Sequence, residues 1–169
     1  MPINLKINND RKYLDKIITG PLHFPNGYKS IASFNPKIDE INKILEISPI
    51  VKLIDIWEYD NPYQRCQWYA FHKEEWYKKL ADMDEFSIEL ALIENGFHIL
   101  NMVGYRETED LEDNLIVAYH FSTNQKKIGH YGIYNNGMVR SKWSHSHVYE
   151  HPIDLLPAHY GDTASLFIK

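Results

Sequence analysis

Gly129-His130-Tyr131-Gly132-Ile133-Tyr134, then Asn135-Asn136-Gly137, then Met138-Val139-Arg140-Ser141, is the stretch on which the reading of this chain turns. Aromatic and branched residues bounded by Gly and Asn mark strands. Asn135-Asn136-Gly137 is a tight hairpin signal, because Asn and Gly accept the positive φ that such turns need. Further strands are expected on either side of this hairpin, over residues 97–105, 114–121 and 163–168, with 129–134 and 137–143 forming the hairpin itself.

Upstream of residue 97 the period is helical. A short helix is expected over residues 10–18, stopped by Gly20-Pro21. Pro25-Asn26-Gly27 is a turn before a strand-like stretch, 28–34. Asn35-Pro36 reads as an N-cap with Pro at the first helical position, and Ile38, Ile41, Ile44 and Leu45 then recur at helical spacing. Residues 50–57 form an apolar run read as a strand or buried segment. Residues 66–83 lack Gly and Pro, with Trp68, Tyr69, Trp76, Tyr77 and Leu80 facing away from Lys73, Glu74, Glu75, Lys78 and Lys79. A further helix over 86–94 is closed by Asn95-Gly96. Helices followed by an antiparallel sheet make an α+β chain.

The length, 169 residues, fits one domain. The hydrophobic fraction of 44% is enough for a packed core. A net charge of -5 without a basic stripe argues against a nucleic-acid partner. No apolar run approaches the ~20 residues of a membrane span. The first eleven residues contain no signal-peptide core, so the expected location is cytoplasmic, or exported without a cleavable signal. A single cysteine, Cys66, excludes an intramolecular disulfide and cysteine-based zinc sites.

Cys66 follows the polar approach Asp60-Asn61-Pro62-Tyr63-Gln64-Arg65 and begins an expected helix. Unpaired N–H groups and the helix dipole at such a position favour a thiolate, which is the nucleophilic form. A thiol enzyme also needs an imidazole on another element to take and return a proton, and His130 in the hairpin is the candidate. The bland alternatives are a buried cysteine packed under a helix and a histidine satisfied in the core.

Together these stretches resemble the papain-like NlpC/P60 and CHAP-related thiol amidases. Arg65-Cys66-Gln67-Trp68-Tyr69-Ala70-Phe71 is similar to the nucleophile helix of that family. Glu112-Asp113-Asn114-Leu115-Ile116-Val117-Ala118 resembles the strand before its histidine, and Gly129 to Tyr134 its histidine strand. Ser141-Lys142-Trp143, the later His151 and Tyr160-Gly161 resemble a less-described papain-like bacterial group. The resemblance covers residues 57–169. Arg65 and Gln67-Trp68 depart from the Asp before and Ser-Gly after the cysteine that are common in the family.

The resemblance implies a papain-like core over 57–169, with helices packed on an antiparallel sheet; residues 1–56, which the resemblance does not cover, are read as an N-terminal helical extension packed on that core. It implies Cys66 attacking an amide carbonyl, His130 as general base and then acid, and Ser141 holding the imidazole. Tyr59, Tyr63 and Gln67 are the candidates on the oxyanion and substrate side. The implied substrate is a cell-wall peptide or protein side-chain amide, with no cofactor, and an inhibitor or immunity protein as a further partner. Two other classes compete: a non-catalytic binding or immunity protein that keeps the fold, and a histidine-based metalloprotein through His145, His147 and Glu150, where an H-x-H on a strand would face one side.

Overall fold

Asn136 and Gly137 take φ of 49° and 80°. Positive φ at both central residues is the signature of a type I′ turn, whose twist matches that of the flanking strands. The turn joins β5 (Asn124–Asn135) to β6 (Met138–Lys142), with Asn135 opposite Met138 and Ile133 opposite Arg140. The computed structural model describes residues 3–19, 38–47, 50–55, 66–71, 86–99, 115–143 and 148–169.

The described elements, in chain order, are β1 (Ile3–Asn4), α1 (Asn9–Thr19), α2 (Ile38–Ile47), β2 (Lys52–Asp55) and α3 (Cys66–Phe71). Next come α4 (Phe86–Glu94), β3 (His98–Ile99), β4 (Leu115–Phe121), then the β5–β6 hairpin. The chain ends with β7 (Val148–Pro152), a short 3-10 turn (Ala158–Tyr160) and β8 (Thr163–Ile168). The described strands form one antiparallel sheet in the order β1-β8-β4-β5-β6-β7-β2, with β3 also pairing β8. The α+β expectation is met at that level.

Two strands were not expected. β7 was read as part of a polar, histidine-rich loop, yet Val148, Tyr149 and His151 are buried in it and it pairs with β6 along its whole length. β1 is only two residues long and exists by pairing Ile3 and Asn4 with Ala164 and Thr163 of β8. The segment expected as a helical extension does supply α1 and α2. It also supplies both outer strands, β1 on β8 and β2 on β7. The 56/57 boundary itself and most of the 66–83 helix lie outside the described residues.

Successive side chains of a strand leave on opposite faces, and here both faces are covered. On one face Val117, Tyr119, Tyr134, Val139, Trp143 and Tyr149 pack with Leu14 of α1 and Ile44 of α2. On the other, Ile116, Ala118, Tyr131 and Phe167 pack with Ala70 and Phe71 of α3 and Leu92 of α4. Phe71 meets Tyr131 edge to face, centroids 5.0 Å apart. Among the described residues no helix is long and apolar enough to cross a membrane.

A buried guanidinium fastens α1 to the sheet. Asn8 Oδ1 caps the helix by accepting from the Arg11 N–H at 3.0 Å. The Arg11 side chain, 0% exposed, donates through Nε to the Leu156 carbonyl at 2.9 Å, through Nη2 to the Gly161 carbonyl and through Nη1 to the Lys6 carbonyl at 3.4 Å. Burial pulls its pKa down from the usual value, against attraction from Tyr119, Asp154, Asp162 and Asp15. Hydrogen bonds to a charged group contribute about 1.5–3 kcal/mol each. Arg11→Ala is therefore expected to lower the unfolding free energy by about 3 kcal/mol or more, read as a fall in the urea midpoint. A midpoint equal to wild type would show that these bonds carry no net stability.

Candidate functional site

Cys66 is the first residue of α3 and is half-buried. Since α3 packs on the Tyr131 face, Cys66 belongs to that side of the sheet. The titratable neighbour that answers it is Lys142, at the end of β6 and only 5% exposed. Burial lowers the Lys142 pKa to about 8, and the negative form of Cys66 pulls it back up. Desolvation wins, so this amine exchanges its proton within reach of neutral pH. Coulomb attraction is mutual, so the ammonium form favours the thiolate.

His130 is elsewhere. It sits opposite Tyr119 on β5, its ring 5.9 Å from the Tyr119 ring and stacked on Tyr160 at 3.9 Å. Both tyrosines belong to the core on the α1–α2 face. His130 is 1% exposed, and neither ring nitrogen has a hydrogen-bond partner among the described residues. Burial holds its pKa well below the ordinary histidine value, and His151, His159 and Lys142 push it the same way. His130 thus packs with Tyr119 and Tyr160, while Ala70 and Phe71 of the helix that Cys66 begins pack on the Tyr131 face, and Lys142 acts electrostatically on both His130 and Cys66.

Ser141 shares the His130 face but serves another histidine. Its Oγ lies 2.9 Å from His151 Nε2 and accepts from Trp143 Nε1 at 3.1 Å. His151 Nδ1 lies 2.8 Å from the Pro152 carbonyl. A carbonyl only accepts, so the proton is on Nδ1, and Nε2 accepts the Ser141 O–H. Ser141, Trp143 and His151 are each 0% exposed, and together they form a closed, satisfied chain. His151 was not expected to be buried. Its pKa falls to about 4, chiefly through burial, with the Pro152 hydrogen bond acting in the other direction.

Tyr59, Tyr63, His145 and His147 lie outside the described residues, as does the side chain of Gln67. Glu150 is engaged by Arg140 Nε at 2.7 Å and by Lys52 Nζ at 3.7 Å. Among the described residues no group of three His, Cys, Asp or Glu side chains is placed to hold a metal ion. Lys142 is the candidate residue that sequence reading passed over. The hairpin register was enough to put it on the face opposite Ser141, but nothing in the sequence said which face α3 covers. No family model, curated protein or solved structure matches the chain.

The lowered pKa of His130 and His151, and of His120 on β4, governs the acid side of the pH response. A histidine whose folded pKa lies below its unfolded value binds its proton more readily in the unfolded chain, so stability falls as pH drops through about 6.5. His151 alone costs roughly 3 kcal/mol by pH 4, since its pKa moves from 6.5 to about 4. Urea midpoints are expected to fall only slightly from pH 8 to 7, where Lys142 titrates in the folded chain, and steeply between pH 6.5 and 4.5; a flat profile across both ranges would contradict the burial. Ser141→Ala strands His151 Nε2 and Trp143 Nε1 and is expected to cost about 1–3 kcal/mol, while leaving the reactivity of Cys66 unchanged.

Proposed function

We propose that the chain is a thiol hydrolase of papain-like character that cleaves an amide bond, of a cell-wall peptide or a protein side chain, with Cys66 as nucleophile. The observation that carries this reading is the electrostatic coupling of half-buried Cys66 to buried Lys142, whose pKa burial lowers to about 8. An amine of that pKa can stabilise a thiolate as the ammonium ion. It can also give a proton to a departing amine and recover it from the attacking water. In this role Lys142 replaces the imidazole that the sequence motif suggested. His130 would act from the other face as a packing residue. A non-catalytic binding or immunity protein is the second reading, favoured by the burial of His130 behind Tyr160.

The test is the rate at which iodoacetamide modifies Cys66 from pH 5 to 9. Wild type is expected to react faster at pH 7 than a free thiol, and Lys142→Met to be slower by about tenfold, the worth of one pKa unit. His130→Gln is expected to leave the rate unchanged. Loss of rate in His130→Gln with Lys142→Met neutral would return the imidazole to the role of thiol partner. A rate rising only above pH 8 and indifferent to both substitutions would leave the binding reading.

A further inference from the structure

His120 and Ser165 were not singled out by any motif, yet the sheet joins them. Ala118 of β4 lies opposite Tyr131 on one side and Ser165 of β8 on the other, so Ser165 shares the sheet face covered by α3. His120, two residues along β4, is opposite Thr163. His120 Nε2 lies 3.0 Å from Ser165 Oγ, and His120 Nδ1 lies 2.9 Å from Thr163 Oγ1.

The hydrogens in this trio can be assigned. Thr163 Oγ1 has one proton to donate, to the His120 carbonyl at 2.7 Å or to the Asp162 carboxylate, and neither acceptor can donate in return. Toward the ring it can then only accept, so His120 carries its proton on Nδ1. Nε2 is left with a lone pair aimed at Ser165 and accepts the serine O–H. Burial lowers the His120 pKa from its ordinary value, against a pull from Asp162, so the ring is neutral and able to take a proton at pH 7.

The ring is also held from behind. The His120 carbonyl accepts from the Asp162 N–H at 3.1 Å as well as from Thr163. Asp162 is in turn fixed by Ser122, whose N–H and O–H reach its two carboxylate oxygens at 2.6 and 2.9 Å. Gly161, at φ 139°, admits this close approach: a Cβ there would fall 2.4 Å from the His120 oxygen. Ser165 is half-buried while His120 is 6% and Thr163 2% exposed, so Ser165 is the least buried residue of the trio.

We infer that Ser165, His120 and Thr163 form a second nucleophilic centre, distinct from Cys66, that takes reactive carboxylic esters. Ser165 Oγ attacks the acyl carbon as its proton passes to His120 Nε2. The bond from the acyl carbon to the alcohol oxygen breaks, and Nε2 returns the proton to the leaving alkoxide. Water then attacks the acyl-serine, giving its proton to Nε2. The acid is released and the serine hydroxyl is re-formed with that proton. Thr163 orients the ring as the carboxylate does in a serine-protease triad, but a neutral hydroxyl stabilises the imidazolium less. That restricts the centre to esters with good leaving groups and excludes ordinary amides.

The probe is a fluorophosphonate, which phosphonylates an activated serine with loss of fluoride, followed by peptide mapping; the parallel readout is hydrolysis of p-nitrophenyl acetate. Adduct at Ser165 is expected in wild type and equally in Cys66→Ala, which separates this centre from the thiol reading. Ser165→Ala should lose the adduct and the Ser165-dependent hydrolysis. His120→Gln should slow labelling by at least about 100-fold, the usual contribution of a general base. Thr163→Val should slow it by about tenfold, with the urea midpoint recorded to separate orientation from unfolding. No adduct at Ser165, or one that forms equally fast in a folded His120→Gln variant, overturns the inference.

Discussion

The period of two along a β-strand governs what this molecule brings together. Strand β5 runs through the middle of the sheet, between β4 and β6, and both of its faces are buried. Adjacent residues therefore enter different cores. His130 enters the core beneath α1 and α2, and Tyr131 the core beneath α3 and α4. The same parity separates Ser141 from Lys142 on β6. A one-residue shift in register would exchange all four assignments. The Asn136-Gly137 turn, with positive φ at both positions, holds the register of β5 against β6.

Given that constraint, the buried polar groups sort by whether the fold satisfies them. Burying a polar group without a partner costs about 1–3 kcal/mol, and most groups here avoid it by cross-strand bonds. Ser141 links Trp143 and His151, and Thr163 links the His120 ring to the His120 carbonyl. Arg11 satisfies three carbonyls from a single side chain. The His130 ring is the contrast: it is enclosed by Tyr119 and Tyr160, and its nitrogens meet no acceptor or donor among the described residues. Its cost is carried by stacking and by remaining neutral.

Local signals were legible where local chemistry decides. The hairpin turn, the 86–94 helix with its Asn95-Gly96 close and the 163–168 strand were all readable from a few residues. What was hidden depends on partners distant in the chain. Ile3–Asn4 carries no strand pattern of its own; pairing with β8 makes it a strand. Val148-Tyr149-Glu150-His151 looked like a polar loop because His151 reads as hydrophilic until Ser141 is seen to cap it. The Gly129 to Tyr134 motif identified a histidine in a strand, but a motif carries no information about which face a helix 60 residues earlier will cover. The same gap concealed Lys142 and the His120–Ser165 pair.

The two faces consequently divide the work. On the α1–α2 side, His130, His151, Ser141 and Arg11 are at most 1% exposed, so a substrate cannot reach them without opening the core. Titratable groups there act on stability, and through it on pH. On the α3 side, Cys66 and Ser165 are each half-buried; Cys66 is electrostatically coupled to the more deeply buried Lys142, and Ser165 is hydrogen-bonded to the more deeply buried His120. Reaction at a nucleophile requires the attacking atom to be reachable and its base to be shielded from water. Only this face meets both conditions among the described residues. The Tyr131–Ala118–Ser165 row of the sheet therefore carries the less buried of these polar side chains, whereas the histidine of the hairpin motif is enclosed by Tyr119 and Tyr160.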